Sequence, residues 1–151
     1  YHRDVQLRRL MTPMIIWAVK GSVLFVLLII TSYHDIKTRQ IPDIYSMMLA
    51  LLAICVPHYE NLWGVFCCLP FLIAAISMGG IGGADIKIMG AAGMVIGLIP
   101  GISAMIIGLL GMIAFHLGRS LLLGKMQWKQ SYPLIPFLSV GIISMYLLQM
   151  P

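Results

Sequence analysis

The chain is a series of apolar runs, each broken at charge or at a Gly/Pro cluster. A helix of about 20 apolar residues crosses bilayer hydrocarbon. The pattern predicts an all-α fold, a polytopic transmembrane helix bundle of about six transmembrane helices. They are read at 14–33, 44–56, 62–78, 86–99, 102–123 and 133–150. The second and fourth are short. At 1.5 Å per residue they reach only about 20 Å, and need extension into their flanks or a thinner bilayer. Composition agrees. Only 10% of residues are charged and mean hydropathy is +0.97, whereas a soluble domain carries about 25% charge. Residues 14–151 are expected to form one membrane-embedded domain. The polar, basic stretch 1–13 is set aside. It reads as a signal-like segment without a cleavage site, or as foreign sequence ahead of Met11.

The net charge of +5 does not point to nucleic acid here, because the bases are scattered through loops. Lys37, Arg39, Lys87, Arg119, Lys125 and Lys129 fall on one side of the predicted bundle, while the opposite loops carry Glu60. That asymmetry makes the basic side cytoplasmic. Arg3, Arg8 and Arg9 run against it, from within the segment set aside. Lys20 lies inside the first run, near one end, where its amine can snorkel. Cys55, Cys67 and Cys68 form no C-x-x-C pair, so no zinc site or disulfide framework is expected. They read as small buried hydrophobes, and the twelve methionines as lipid-facing or core filler.

Against this background two acids stand out. Asp35 ends the first predicted span and Asp85 begins the fourth. An even number of crossings separates them, so both lie at the same face of the membrane. A central Asp costs about 2.5–3.5 kcal/mol in hydrocarbon, less at the interface. Two carboxyls sharing one site do not easily both ionise, so one is left as a base and the other as an acid. Gly79, Gly80, Gly82 and Gly83 clear side chains ahead of Asp85, and Gly93, Gly97 and Gly101 make a small-residue packing face. Each residue also has a plainer reading. Asp85 suits a helix N-cap, Asp35 a solvated helix end beside Lys37 and Arg39, and His116 a ring bonded inside the bundle. His34 could tune Asp35, or be a solvated loop histidine. From the residues alone these alternatives stay open.

The joint pattern narrows them. "HDIKTRQIPDIYS" (34–46) and, about 50 residues on, "GGIGGADIKIMGAAG" (79–93) resemble the prepilin peptidase family, membrane aspartyl peptidases of the G-x-G-D type. A weaker match is "YPLIPFLSVGI" (132–142), similar to the family's closing Pro-Phe-x-Pro-Phe-Leu stretch. This chain departs twice, with Ala84 for a Gly and Asp43 for an Asn after Ile-Pro. The resemblance implies Asp35 and Asp85 as catalytic pair. It also implies a prepilin or pseudopilin substrate cut on the cytoplasmic side of the bacterial inner membrane. For such a substrate Gly82, Gly83 and Ala84 leave room for a backbone to approach, with Asp43 and Lys87 beside them and Asp43 suited to meet a basic leader residue. The chain is similar to short, peptidase-only members, so neither methyltransferase activity, cofactor nor metal is expected. Membrane lipid is the other partner implied, and no nucleic acid. Oligomeric state is left open. The competing functions are a small proton- or ion-coupled transporter and a non-catalytic family member in pilus or secretion assembly. No inverted repeat supports the first of these.

Overall fold

The computed structural model describes residues 2–38, 41–55, 59–78, 82–123 and 133–150. All regular structure among them is helical: α1 (His2–Thr38), α2 (Asp43–Cys55), α3 (Tyr59–Leu62), a 3₁₀ stretch (Trp63–Cys68), α4 (Leu69–Met78), α5 (Gly83–Ile96), α6 (Leu98–Leu123) and α7 (Ile135–Leu148). Residues 59–78 run on as one segment, giving six helical segments. Three stretches are long and apolar enough to cross a membrane: Thr12–Thr38, Glu60–Ser77 and Leu98–Leu122. The all-α bundle expected from the apolar runs is therefore what forms. Gly79, Gly80, Arg39, Lys125 and Lys129 lie outside the described residues.

The core forms where the shorter helices meet the long ones. Leu24 and Leu28 of α1, Ile88 and Ala92 of α5, and Ile142 of α7 share one cluster. A smaller one gathers Cys67, Phe71, Met89 and Leu138. The face of α5 that buries Ile88, Ala92 and Ile96 also carries Asp85, since 85, 88, 92 and 96 recur at helical spacing. Burial of that stripe thus fixes which way Asp85 points.

Small residues allow the closest approaches. Gly64, in the 3₁₀ stretch, lies against the backbone of Gly93 in α5, and Gly141 of α7 against the backbone of Ala104 in α6. Gly93 and Gly101 thus join a small-residue packing face, as their spacing suggests. Gly97 serves differently. It ends α5 at φ +97°, its N–H bonded to Gly93 O at 2.7 Å, a conformation that suits glycine. The helix break therefore falls at Gly97, three residues before the break read at Pro100. Pro100 is accommodated in the first turn of α6, where its missing N–H costs nothing.

Ending α5 after 14 residues leaves carbonyls that must be satisfied inside the bundle. Lys20 Nζ donates to Val95 O at 2.9 Å, Asn61 Nδ2 to the same oxygen at 3.1 Å, and Gln149 Nε2 to Ile96 O at 2.7 Å. Lys20 is only 8% exposed. It turns inward instead of snorkelling, because a cation at a helix C-terminus meets the negative end of the macrodipole. Lys20→Met keeps most of the stem and removes the donor. It is expected to cost about 1–2 kcal/mol, the loss of a charge-assisted hydrogen bond less the relief of burying a charge. A lowered melting temperature in detergent would register it.

Candidate active site

Asp35 lies in the polar last turn of α1, beyond the apolar part that ends at Tyr33. It is not a solvated helix end: only 8% of it is exposed. Its Oδ2 accepts the Ile135 N–H of α7 at 3.1 Å, in a buried contact. One turn earlier, Ser32 and Ser139 share a hydrogen bond of 2.9 Å that ties the same two helices. His34 packs against Tyr45 of α2, the rings tilted at 44° with centroids 5.3 Å apart.

Asp85 is the third residue of α5, before the apolar run that begins at Ile86. Gly82 stands at the N-cap position and makes no side-chain cap. Asp85 is therefore not itself the N-cap, as its place at the span start had suggested. It reaches back toward the Gly82 backbone in the manner of a capping-box acid. A Cβ on Gly82 would lie 3.3 Å from Asp85 Oδ2, so that glycine leaves room for the carboxyl. Gly83 has open space around it, and Ala84 is half-buried. Glycine is not required at 84 for backbone reasons. Ala84 sits in the first turn of a regular helix, and among the described residues the positive-φ glycine is Gly97.

The carboxyls of Asp35 and Asp85 are close enough for their charges to act on one another. Burial, with the charge of Asp35 acting the same way and the Gly82 backbone hydrogen bond opposing both, raises Asp85 from 3.8 to about 6. The backbones of α1 and α5 nonetheless stay more than 8 Å apart among the described residues. The two carboxyls thus act on one another from helices whose backbones are not in direct contact. The arrangement can do acid–base chemistry: a carboxyl that holds its proton well above the usual carboxylate range stands near a second carboxyl.

Asp43 and Lys87 sit apart from this pair. Lys87 Nζ donates to both Asp43 oxygens at 2.8 Å, linking the first turns of α2 and α5. By helical spacing Lys87 projects from the opposite face of α5 to Asp85. The pair is exposed, 52% at Lys87 and 73% at Asp43, and such pairs contribute little. Asp43→Asn should lower stability by less than about 1 kcal/mol, and the difference should shrink in high salt. Denaturation at two ionic strengths checks both.

Two contributors escaped the sequence reading. The Ile135 amide has no side-chain signature. Its only trace was the Pro-rich stretch at 133–136, which suggested a helix start but no partner. The Lys20, Asn61 and Gln149 clamp joins residues far apart in sequence, each unremarkable alone.

The profile of the type IV leader peptidase family matches residues 22–148, a range that contains both acids and the amide facing Asp35. The prepilin leader peptidase/N-methyltransferase of Bacillus subtilis (strain 168) is 32% identical over 136 residues, covering 83% of this chain and 54% of that protein. The chain thus spans about half the length of that relative. No solved structure matches it. With the family profile covering all but the ends, the chain belongs to the type IV leader peptidase family.

Proposed function

We propose that the protein is a membrane aspartyl endopeptidase. It removes the short leader peptide from type IV prepilins or pseudopilins, at the cytoplasmic face of the bacterial inner membrane. The reaction is hydrolysis by two-aspartate activation of water, with Asp35 and Asp85 as the pair. The single observation that carries this reading is that the buried Asp35 and the half-buried Asp85 lie close enough at one end of the bundle for their charges to act on one another. Family membership supports the substrate class. The basic residues described at the same end, Lys37, Lys87 and Arg119, support a cytoplasmic orientation.

The chemistry asked of the site is modest in parts. A water held between the carboxyls loses a proton to the charged one as its oxygen bonds to the scissile carbonyl carbon. The carbonyl oxygen takes the proton of the other carboxyl. On collapse the C–N bond breaks and the leaving nitrogen takes a proton from the site. Exposed apolar side chains flank the same end, including Tyr33, Ile36 and Ile44, and suit a substrate that arrives within the bilayer.

The test is cleavage of a prepilin by the purified chain in liposomes. Release of the leader peptide supports the reading. Failure across several prepilins, with cation flux in the same liposomes, would favour the transporter instead. Failure of both would leave a family member without catalysis.

A further inference from the structure

Both acids lie near a helix N-terminus, so the macrodipole alone does not tell them apart. Their hydrogen bonds do. The first turn of α7 has a complete account of its amides. Phe137 N–H and Leu138 N–H bond to Leu134 O at 3.2 and 3.1 Å. Pro136 has no N–H. Ile135 N–H is left over, it is buried, and Asp35 Oδ2 takes it at 3.1 Å. A buried amide with no partner is costly, so Asp35 is bound to act as an acceptor whenever the fold is intact. The counterpart at Asp85 is the Gly82 backbone, which is exposed and has water as an alternative.

We infer that Asp35 is the general base of this pair and Asp85 the general acid, and that the Ile135 amide is the positioning group that sets this division. The inference rests on the peptidase reading above and deepens it. A donated hydrogen bond favours the charged form of a carboxyl, and here the donor is fixed by the start of a helix whose next residue, a proline, offers no competing amide. The Asp35 carboxylate takes the water's proton. Asp85 gives its proton to the carbonyl oxygen and recovers one as the intermediate collapses.

Several other charged groups lie at this end. On α1, His34 packs against the Tyr45 ring of α2, and Lys37 lies over the Tyr33 ring at 5.6 Å. Lys87 of α5 is held by Asp43 of α2. α6 brings His116 and Arg119 to the same end. On α7, among the described residues, the first titratable side chain is Tyr146, three turns away.

The experiment replaces the Ile135 amide by an ester, through cell-free synthesis into liposomes with the matching α-hydroxy acid. A second ester at Ile143 removes an ordinary helical N–H from the same helix. The expected result for the first is an acidic limb of the rate profile moved up by about one pH unit, with the basic limb unmoved. The Ile143 ester should leave both limbs in place. Equal profiles for the two esters would overturn the inference. Infrared titration of the carboxyl bands provides a second readout that needs no activity. The band titrating near pH 6 should vanish in Asp85→Asn and persist, at somewhat lower pH, in Asp35→Asn. The reverse pattern would reverse the roles. If the unmodified chain cleaved no prepilin, the peptidase reading would fall, while the infrared result would still decide which carboxyl keeps its proton.

Discussion

Asp85→Asn is expected to abolish cleavage and, at neutral pH, to raise the melting temperature. General acid–base groups contribute about 10²–10⁴-fold each, so a loss of about a thousandfold or more is expected, with substrate binding retained. The stability gain follows from burial. Asp85 titrates at about 6 in the folded chain against its ordinary 3.8. Between those values the folded state binds the proton more tightly than the unfolded one, so stability falls as pH rises through that window. Above it, the charged side chain costs about 2 kcal/mol once its partial exposure is discounted. Asn removes that cost. The stabilisation should amount to several degrees at pH 7.5 and disappear below pH 3.8. Asp35→Asn should be equally inactive but differ in stability. Its amide oxygen can still accept from Ile135 N–H, so little of that contact is lost. Thermal unfolding of both variants across pH, beside the cleavage assay, checks the contrast. A destabilised Asp85→Asn would mean that the acid serves the fold instead.

The second large effect lies away from the acids. Gly93→Ala and Gly64→Ala should each destabilise by about 3 kcal/mol, the upper end for overpacking. A Cβ on either glycine would overlap the backbone of the other, and on Gly93 it would also lie 3.1 Å from Cys67 Cβ. Backbone cannot step aside as a flexible side chain can. Gly83→Ala is the control, because nothing lies within 4 Å of the added carbon. It should be nearly neutral in stability. Unfolding midpoints in a detergent series separate the three.

Much of this arrangement was legible before any coordinates. Apolar runs are long-range signals, so helix number, helix class and the shared face of Asp35 and Asp85 could be read from them. Local backbone detail was less accessible. Pro100 looked like the break between the fourth and fifth runs, yet proline is tolerated in a first turn, and Gly97 made the turn. The third run looked like a plain helix. Its 3₁₀ stretch, Trp63–Cys68, lies where Gly64 meets Gly93, a contact between residues 29 apart that no periodicity reports. Lys20 was placed at an interface because a lone lysine in an apolar run usually goes there. Its acceptor, Val95 O, is 75 residues away and is backbone, which carries no residue-type signal. The same holds for Ile135. Side-chain chemistry marked the acids, and main-chain chemistry arranged them.

The clamp on the carbonyl end of α5 has a mechanical consequence. Val95 and Ile96 are gripped from three directions, Gly93 lies against the Gly64 backbone, and Ile88 and Ala92 sit in the core. α5 is thus pinned along its length, with Asp85 on its first turn. A tilt of about 5° about Ile96 would carry the Asp85 backbone about 1.4 Å over the eleven residues between them, and every one of those contacts resists it. The Asp85 end of the carboxyl pair is therefore as rigid as the core that carries it.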